Sequence, residues 1–174
     1  MEIGNRKSFA ITVDLDQDYG GAWLFGKLCY WIDGIQVGDY QLGTSLRDVL
    51  FQMKYIVSDC GNRAGGILCT LPTGEAFYRL DEELFGSNEV EPDAQSQLPD
   101  TPARFDITIH VDVFDQWKAY LIECNDKAMI LFKNISDPDV KLAHIATGSF
   151  DSVIKEVYDY LNDLYKREAA TSSV

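Results

Sequence analysis

Residues 22–63, AWLFGKLCYWIDGIQVGDYQLGTSLRDVLFQMKYIVSDCGNR, contain the signals that decide the fold of this chain. Residues 22–32 are rich in aromatic and apolar side chains and predict a β-strand. Asp33 and Gly34 then predict a two-residue hairpin turn, because glycine tolerates the positive φ that a type I′ turn requires. The returning strand is predicted over residues 35–42.

An amphipathic helix is predicted after this hairpin. Thr44 or Ser45 caps its N-terminus, and Gly61 ends it. Its apolar residues recur with the helical period and form one stripe: Leu46, Val49, Leu50, Met53, Ile56 and Val57. Before the hairpin, alternating apolar residues over 9–15 predict a half-buried strand.

The next stretch is predicted to hold a short strand over residues 67–71 and a helix over residues 75–85. Residues 86–103 contain three of the five prolines and show no apolar periodicity. This composition predicts a long acidic loop.

Alternation is strongest in residues 105–113, which predicts a strand. Its buried face would carry Phe105, Ile107, Ile109, Val111 and Val113. Residues 117–133 predict a hairpin that turns at Asn125 and Asp126, and residues 140–146 predict a further strand.

A last amphipathic helix begins at Ser149 or Asp151 and places Asp151 on its outer face. The chain is therefore predicted to be α+β, with two antiparallel strand meanders that are each followed by a packed amphipathic helix. This order resembles the Whirly arrangement, in which four antiparallel strands and a helix occur twice. We expect a single α+β domain over residues 1–167 and a flexible tail over residues 168–174.

Charge is the strongest signal in the composition. The 174 residues include 28 acidic and 15 basic side chains, a net charge of −13. Nucleic acid and membrane surfaces are excluded as partners on this ground, because binding to phosphate requires Lys and Arg. The same negative field attracts a cationic protein.

The acidic residues concentrate in two regions. Residues 75–100 hold eight acids and one base, and residues 14–18 hold three aspartates. We predict that these regions bind a basic partner through Asp14, Asp16, Asp18, Asp81, Glu82, Glu83, Glu89, Glu91 and Asp93. The alternative is that they form a solvated helix face and a self-repelling linker.

The four cysteines are Cys29, Cys60, Cys69 and Cys124, and no two of them form a Cys-x-x-Cys pair. This pattern predicts reduced, buried thiols instead of a disulfide framework or a zinc site. The N-terminus lacks the apolar region of a secretory signal, and no apolar run has the length of a membrane helix. We therefore expect a cytoplasmic protein.

Two near-matches to ligand-binding motifs each fail at a required position. Residues 21–28 have the spacing of a phosphate-binding loop, but Leu28 replaces the Ser or Thr that binds Mg²⁺. The aspartates of residues 14–18 match the first ligands of an EF-hand, but Tyr19 replaces its glycine and Phe25 its bidentate glutamate. Neither a cofactor nor a metal site is predicted.

Residues 22–63, with the preceding IGNRKSFAITVDLDQDYGG, resemble the immunity-protein family numbered forty-two of polymorphic-toxin systems. The resemblance lies in the early Phe-Ala-Ile strand, the aromatic run that ends in Ile-Asp-Gly, and the Gly-Thr-Ser-Leu entry to the helix. It covers about the first 85 residues. It implies a cytoplasmic protein that binds and neutralises a toxin, often a nuclease delivered by contact-dependent growth inhibition.

We expect a non-enzymatic immunity protein that blocks the active site or substrate groove of a cationic nuclease toxin, as a monomer that binds one toxin. One alternative is an acidic secretion chaperone or adaptor, which would dimerise. Another is a small-ligand-binding domain or an enzyme that uses His110, which shares a strand face with Asp106 and Asp112. A Whirly-like single-strand binder conflicts with the charge.

Overall fold

The part of the chain that the structure describes folds into two antiparallel sheets and three α-helices, which confirms the α+β class. The computed structural model describes residues 1–86 and 101–171. The strands are β1 (Glu2–Gly4), β2 (Phe9–Leu15), β3 (Phe25–Ile32), β4 (Ile35–Val37), β5 (Thr44–Ser45), β6 (Trp117–Cys124), β7 (Lys127–Asn134) and β8 (Lys141–Ala146). The helices are α1 (Leu46–Ser58), α2 (Thr73–Phe85) and α3 (Ser149–Thr171).

The first sheet is built around the predicted hairpin. Its strand order is β1-β2-β3-β4, and β5 pairs with the other end of β3. Asp33 and Gly34 have φ of 49° and 76°, as a type I′ turn requires. Strand β4 ends at Val37, earlier than predicted, because Gly38 has a φ of 102° and the Asp39 N–H then donates to the Val113 carbonyl at 2.7 Å.

Helix α1 forms where the apolar stripe predicts it. Ser45 is its N-cap, and its side chain accepts a hydrogen bond from the Asp48 N–H. The buried stripe packs against β3 and α3. The predicted cap and the predicted core face of this helix are confirmed.

The second sheet is a meander of β6, β7 and β8, with the predicted turn at Asn125, whose φ is 60°. One face joins the main core beneath α1 and α3. The other face is covered by α2, through a second core of Leu68, Ala76, Phe77, Leu80, Phe105, Tyr120, Ile122 and Leu131. Helix α2 therefore packs on the second sheet, although it follows the first sheet in sequence.

Residues 105–113 do not form the strand that their alternation predicts. The alternation does describe burial, since Ile107 and Ile109 are fully buried. The Ile107 N–H donates to the Ala119 carbonyl at 3.0 Å, but the Ala119 N–H then donates to the side-chain hydroxyl of Thr108 at 3.0 Å. A side chain takes the place of a backbone group there, so the ladder stops. The sheets consequently have five and three strands, where the Whirly arrangement has four in each half.

The predicted strand at residues 67–71 is also wrong. The chain forms a 3-10 helix at Gly66–Thr70. Gly66 has a φ of 52°, a left-handed conformation that turns the chain away from an extended path. Leu68 in this turn is fully buried under α2.

Cys69 and Cys124 form a disulfide that joins this 3-10 helix to the end of β6. The prediction of reduced thiols is wrong for this pair and right for Cys29 and Cys60, which are free. Fifty-five residues separate the two cysteines in sequence, so spacing gave no sign that they would meet. The predicted cytoplasmic location, which rested partly on reduced thiols, stays a prediction.

Arg63 and Asp151 form a buried ion pair, with an Nη1 to Oδ1 distance of 2.9 Å and no exposed surface on Arg63. Arg63 also donates to the carbonyls of Arg104 at 2.8 Å and Ile56 at 2.6 Å. The second oxygen of Asp151 accepts from the Gly61 N–H at 2.7 Å. The prediction that Asp151 lies on the outer face of the last helix is therefore wrong, because Arg63 draws its carboxylate inward.

Helix α3 extends to Thr171, four residues beyond the predicted end at Arg167. Its apolar stripe packs against α1 and the first sheet. None of the helices in the described part of the chain is long and apolar enough to cross a membrane.

We predict that Asp151→Ala destabilises the fold by about 3–5 kcal/mol, because it leaves the Arg63 guanidinium buried without its counter-charge. Urea unfolding monitored by circular dichroism measures the change. Lys141→Gln is the control, since it removes one partner of the partly exposed Asp137–Lys141 pair and should change stability less. Equal losses in the two variants would contradict a structural role for Arg63 and Asp151.

We predict that titration of the oxidised, denatured chain detects two thiols, those of Cys29 and Cys60. Reduction should lower the unfolding free energy by about 2–4 kcal/mol, because the unfolded chain regains the freedom that the cross-link removes. Cys29→Ser is the control and should leave the effect of reductant unchanged. Detection of four thiols before reduction would contradict the pairing.

Candidate functional site

A cavity of about 450 Å³ opens where the first sheet meets the start of α1. Five segments contribute to it: the turn after β2, the start of β3, the residues that lead into α1, the first turn of α1, and the segment that precedes β6. The residues that line it, named here the acidic groove, are Asp16, Phe25, Leu42, Gly43, Thr44, Ser45, Asp48, Val111 and Asp112.

The turn between β2 and β3 gives one wall of the acidic groove its shape. Gly20 has a φ of 66°, and a Cβ there would lie 2.9 Å from the Phe25 ring, so only glycine lets the ring pack on this turn. Leu24 is also left-handed, with a φ of 54°, and its side chain is fully buried. The Leu24 carbonyl accepts from the Leu46 N–H at 2.9 Å, which ties the turn to the first residue of α1.

Large apolar side chains are exposed on this turn and on the loop that leads into α1. Trp23, Phe25 and Leu42 retain 49%, 44% and 58% of their surface. The Trp23 and Phe25 rings are parallel, with centroids 6.1 Å apart. Exposed aromatic residues in a recess are typical of the anchors of protein–protein interfaces.

The charge of the acidic groove is uniformly negative. Its lining includes the carboxylates of Asp16, Asp48 and Asp112, and no Lys, Arg or His. Asp48 accepts two hydrogen bonds from Arg47, whose guanidinium lies outside the lining with its carbon 3.6 Å from the centroid of Trp23. Within residues 1–86 and 101–171, no three acidic, His or Cys side chains are placed to hold a metal ion.

The three predicted aspartates of residues 14–18 have different positions. Asp16 lines the acidic groove, and Asp18 lies in the exposed turn beside it, where its carboxylate accepts from the Gly20 N–H at 3.3 Å. Asp14 is engaged by the N-terminal amine at 2.7 Å and by the Tyr40 hydroxyl, and these hydrogen bonds lower its pKa. Asp14 is thus committed to internal contacts.

The acidic residues of α2 that were predicted to bind a partner also differ in position. Asp81 faces the second sheet, where it accepts from Lys118 at 2.5 Å and from the Tyr120 hydroxyl at 2.8 Å. The helical period of residues 75–85 predicts that Asp81 lies on the outer face with Glu82 and Glu83, and this prediction is wrong for Asp81. Glu82 and Glu83 are exposed on α2, which packs on a different sheet from the one that forms the acidic groove. The predicted contacts Glu89, Glu91 and Asp93 lie outside the described residues.

Sequence reasoning missed four members of the acidic groove: Phe25, Leu42, Asp48 and Asp112. Sequence patterns place Phe25 and Asp112 in predicted strands and Asp48 in the first turn of the predicted helix, which are local roles. Their association depends on how residues 111–112 approach the first sheet. The Val113 carbonyl, which accepts from Asp39, is the backbone contact that brings this segment there, and no local pattern predicts it.

His110 lies in a separate cleft of about 150 Å³ that Phe85, Trp117 and Lys118 also line. Its side chain is 56% exposed, and its Nε2 lies 2.9 Å from the Asp106 carboxylate. The Asp106 hydrogen bond raises the pKa of His110. The hydroxyl of Thr108, which also lines this cleft, accepts from the Ala119 N–H at 3.0 Å and donates to the Ala119 carbonyl at 3.4 Å.

The fold and the acidic groove together define a class, an α+β protein with an acidic groove that contains exposed apolar side chains. The family model described as Immunity protein 42 matches residues 1–160. The chain belongs to the Immunity protein 42 family. This match confirms the resemblance seen in the first part of the sequence and extends it over the second sheet.

The chain is also similar in fold to a solved structure, that of CdiI from Burkholderia dolosa AUO158. The TM-score is 0.72 at 18% sequence identity, over 92% of this chain and 99% of that chain. At this identity the likeness shows that the two proteins share a fold. A comparison with curated protein sequences gives no match.

We predict that His110→Gln leaves toxin protection intact and removes one pH-dependent contribution to stability. The pKa of His110 is raised in the folded state, so its contribution is complete below the ordinary value of 6.5 and is lost as the pH rises through the raised pKa. Thermal unfolding across this range measures the effect, with His144→Gln as the control. Loss of protection in His110→Gln would instead favour a ligand-binding or catalytic role.

Proposed function

We propose that this protein binds and neutralises a cationic toxin domain, with nuclease activity, by blocking its active site or substrate groove. It acts by binding and not by catalysis. One chain binds one toxin domain. The membership of the immunity family supports the general role, and the acidic groove supports the cationic nature of the partner.

The observation that carries the proposal is the composition of the acidic groove. Three carboxylates surround exposed Phe25 and Leu42, and no basic side chain lines the cavity. Anchors that become fully desolvated at the centre of an interface supply most of its affinity, and the charges around them set partner choice and encounter rate. The acidic groove has both components.

A nuclease fits this surface because its own substrate is a polyanion. A substrate groove that binds phosphates must present Lys and Arg side chains. An acidic protein can occupy such a groove in place of the nucleic acid, and its net charge of −13 adds a long-range attraction. Phe25 and Leu42 would then supply contacts that nucleic acid does not make.

We predict that the rate of association with the cognate toxin falls by a factor of about ten or more when the salt concentration rises from about 0.05 M to about 0.5 M. The reason is that ions screen the attraction between the two proteins. Stopped-flow fluorescence of the two separately purified proteins measures it. Replacing Asp16 and Asp112 together with Asn should lower the rate at low salt and flatten its salt dependence.

The matched control replaces Asp159 and Asp163 with Asn, which removes the same charge from the exposed face of α3. This variant should behave nearly as the unmodified protein does. A rate indifferent to salt would contradict a cationic partner. Failure of the two proteins to form a complex would contradict neutralisation by binding, and a stable dimer of the free protein in sedimentation would favour a chaperone.

A further inference from the structure

We infer that the acidic groove recognises an arginine side chain of its partner, with the guanidinium on the Phe25 ring and hydrogen-bonded to Asp16 and Asp112. This inference rests on the proposed function, since it names the chemical group that the acidic groove takes from the toxin. The inference predicts a preference for arginine over lysine, which the net charge of the protein alone does not predict.

The same surface already binds one guanidinium of the chain itself. The guanidinium carbon of Arg47 lies 3.6 Å from the centroid of the Trp23 ring. Its Nε and Nη2 donate to one oxygen of Asp48 at 3.1 and 3.0 Å. An aromatic face and a carboxylate thus hold a guanidinium together at the edge of the acidic groove.

Phe25 repeats the aromatic half of this arrangement inside the groove. Its ring is parallel to that of Trp23, with an interplanar angle of 1°, and 44% of its surface is exposed. Asp16 lies beside it, since the Asp16 N–H donates to the Phe25 carbonyl at 3.1 Å. Asp112 lines the same cavity from the segment that precedes β6. The carboxylate half is therefore present as well, without an arginine of the chain in the lining.

Arginine suits these groups better than lysine does. A guanidinium is planar, so it can stack on a ring while its edge N–H groups donate to carboxylates on either side. It is also more weakly hydrated than an ammonium group and is easier to remove from water. A lysine ammonium is also attracted to an aromatic face, but it is not planar and cannot stack on Phe25 while it donates to the carboxylates on either side.

A second exposed aromatic surface of the protein has the opposite character. The ammonium groups of Lys118 and Lys133 lie 4.8 and 5.2 Å from the ring centroids of Phe85 and Tyr78. Those rings already have cations of the chain beside them, and a further cation would be repelled. The contrast favours the acidic groove as the place where an arginine of a partner binds.

Titration of the full chain with tetra-arginine and tetra-lysine peptides, followed by amide chemical shifts in NMR, tests the inference. We expect shifts at the residues that line the acidic groove, and tighter binding of tetra-arginine by about two- to fivefold, the contribution of one exposed cation–π contact. Equal affinities for the two peptides, or shifts centred on another surface, would overturn the inference.

Variants assign the preference to particular side chains. Phe25→Leu keeps an apolar side chain but removes the ring, so it should abolish the preference for arginine. Asp16→Asn should weaken the binding of both peptides, and Asp159→Asn on α3 should leave the binding of both unchanged. An unchanged preference in Phe25→Leu would overturn the stacking.

A separate assay of toxin protection distinguishes the two levels of the proposal. If the unmodified chain protects against its toxin but does not discriminate between the peptides, the proposed function stands and the arginine inference fails. If the chain does not bind its toxin at all, the proposed function fails, whatever the peptides show.

Discussion

The buried pair of Arg63 and Asp151 is the interaction on which the arrangement of the whole fold depends. A buried guanidinium must have its donors satisfied, and Arg63 finds its partners in three different elements: the end of α1, the start of α3 and the turn at Arg104. These contacts tie the end of α1 to the start of α3 and to the turn at Arg104. The same helix α1 carries Asp48 of the acidic groove in its first turn.

The stretch of residues 104–112 connects this core to the candidate site. It is anchored at Arg104 by Arg63, and at Ile107 and Ile109 by burial under the first sheet. Because Thr108 interrupts the ladder with β6, the segment is free to turn and present Asp112 to the acidic groove. A complete fourth strand would have held it flat against the second sheet.

The sequence predicts correctly the parts of the fold that depend on residues close together in the chain. The turn at Asp33 and Gly34, the Ser45 cap and the apolar stripes depend on residues within a few positions of each other, and all formed as predicted. The Cys69–Cys124 disulfide and the inward position of Asp151 depend on partners 55 and 88 residues away, which no single-sequence pattern encodes. The same distinction applies to the residues of the candidate site. Asp16 was identified from charge alone, whereas the aromatic and acidic residues around it are neighbours only in three dimensions.

The disulfide changes what a break in the backbone does to this protein. It closes a covalent ring that contains α2, its sheet partner β6 and the whole stretch between them. A single cut by a protease inside that ring opens it without dividing the molecule, because the two pieces stay joined through sulfur. The second core, which includes side chains of both α2 and β6, would keep these two elements packed together. The oxidised protein therefore remains one covalent piece when its chain is cut inside the ring, and only reduction lets the two pieces separate.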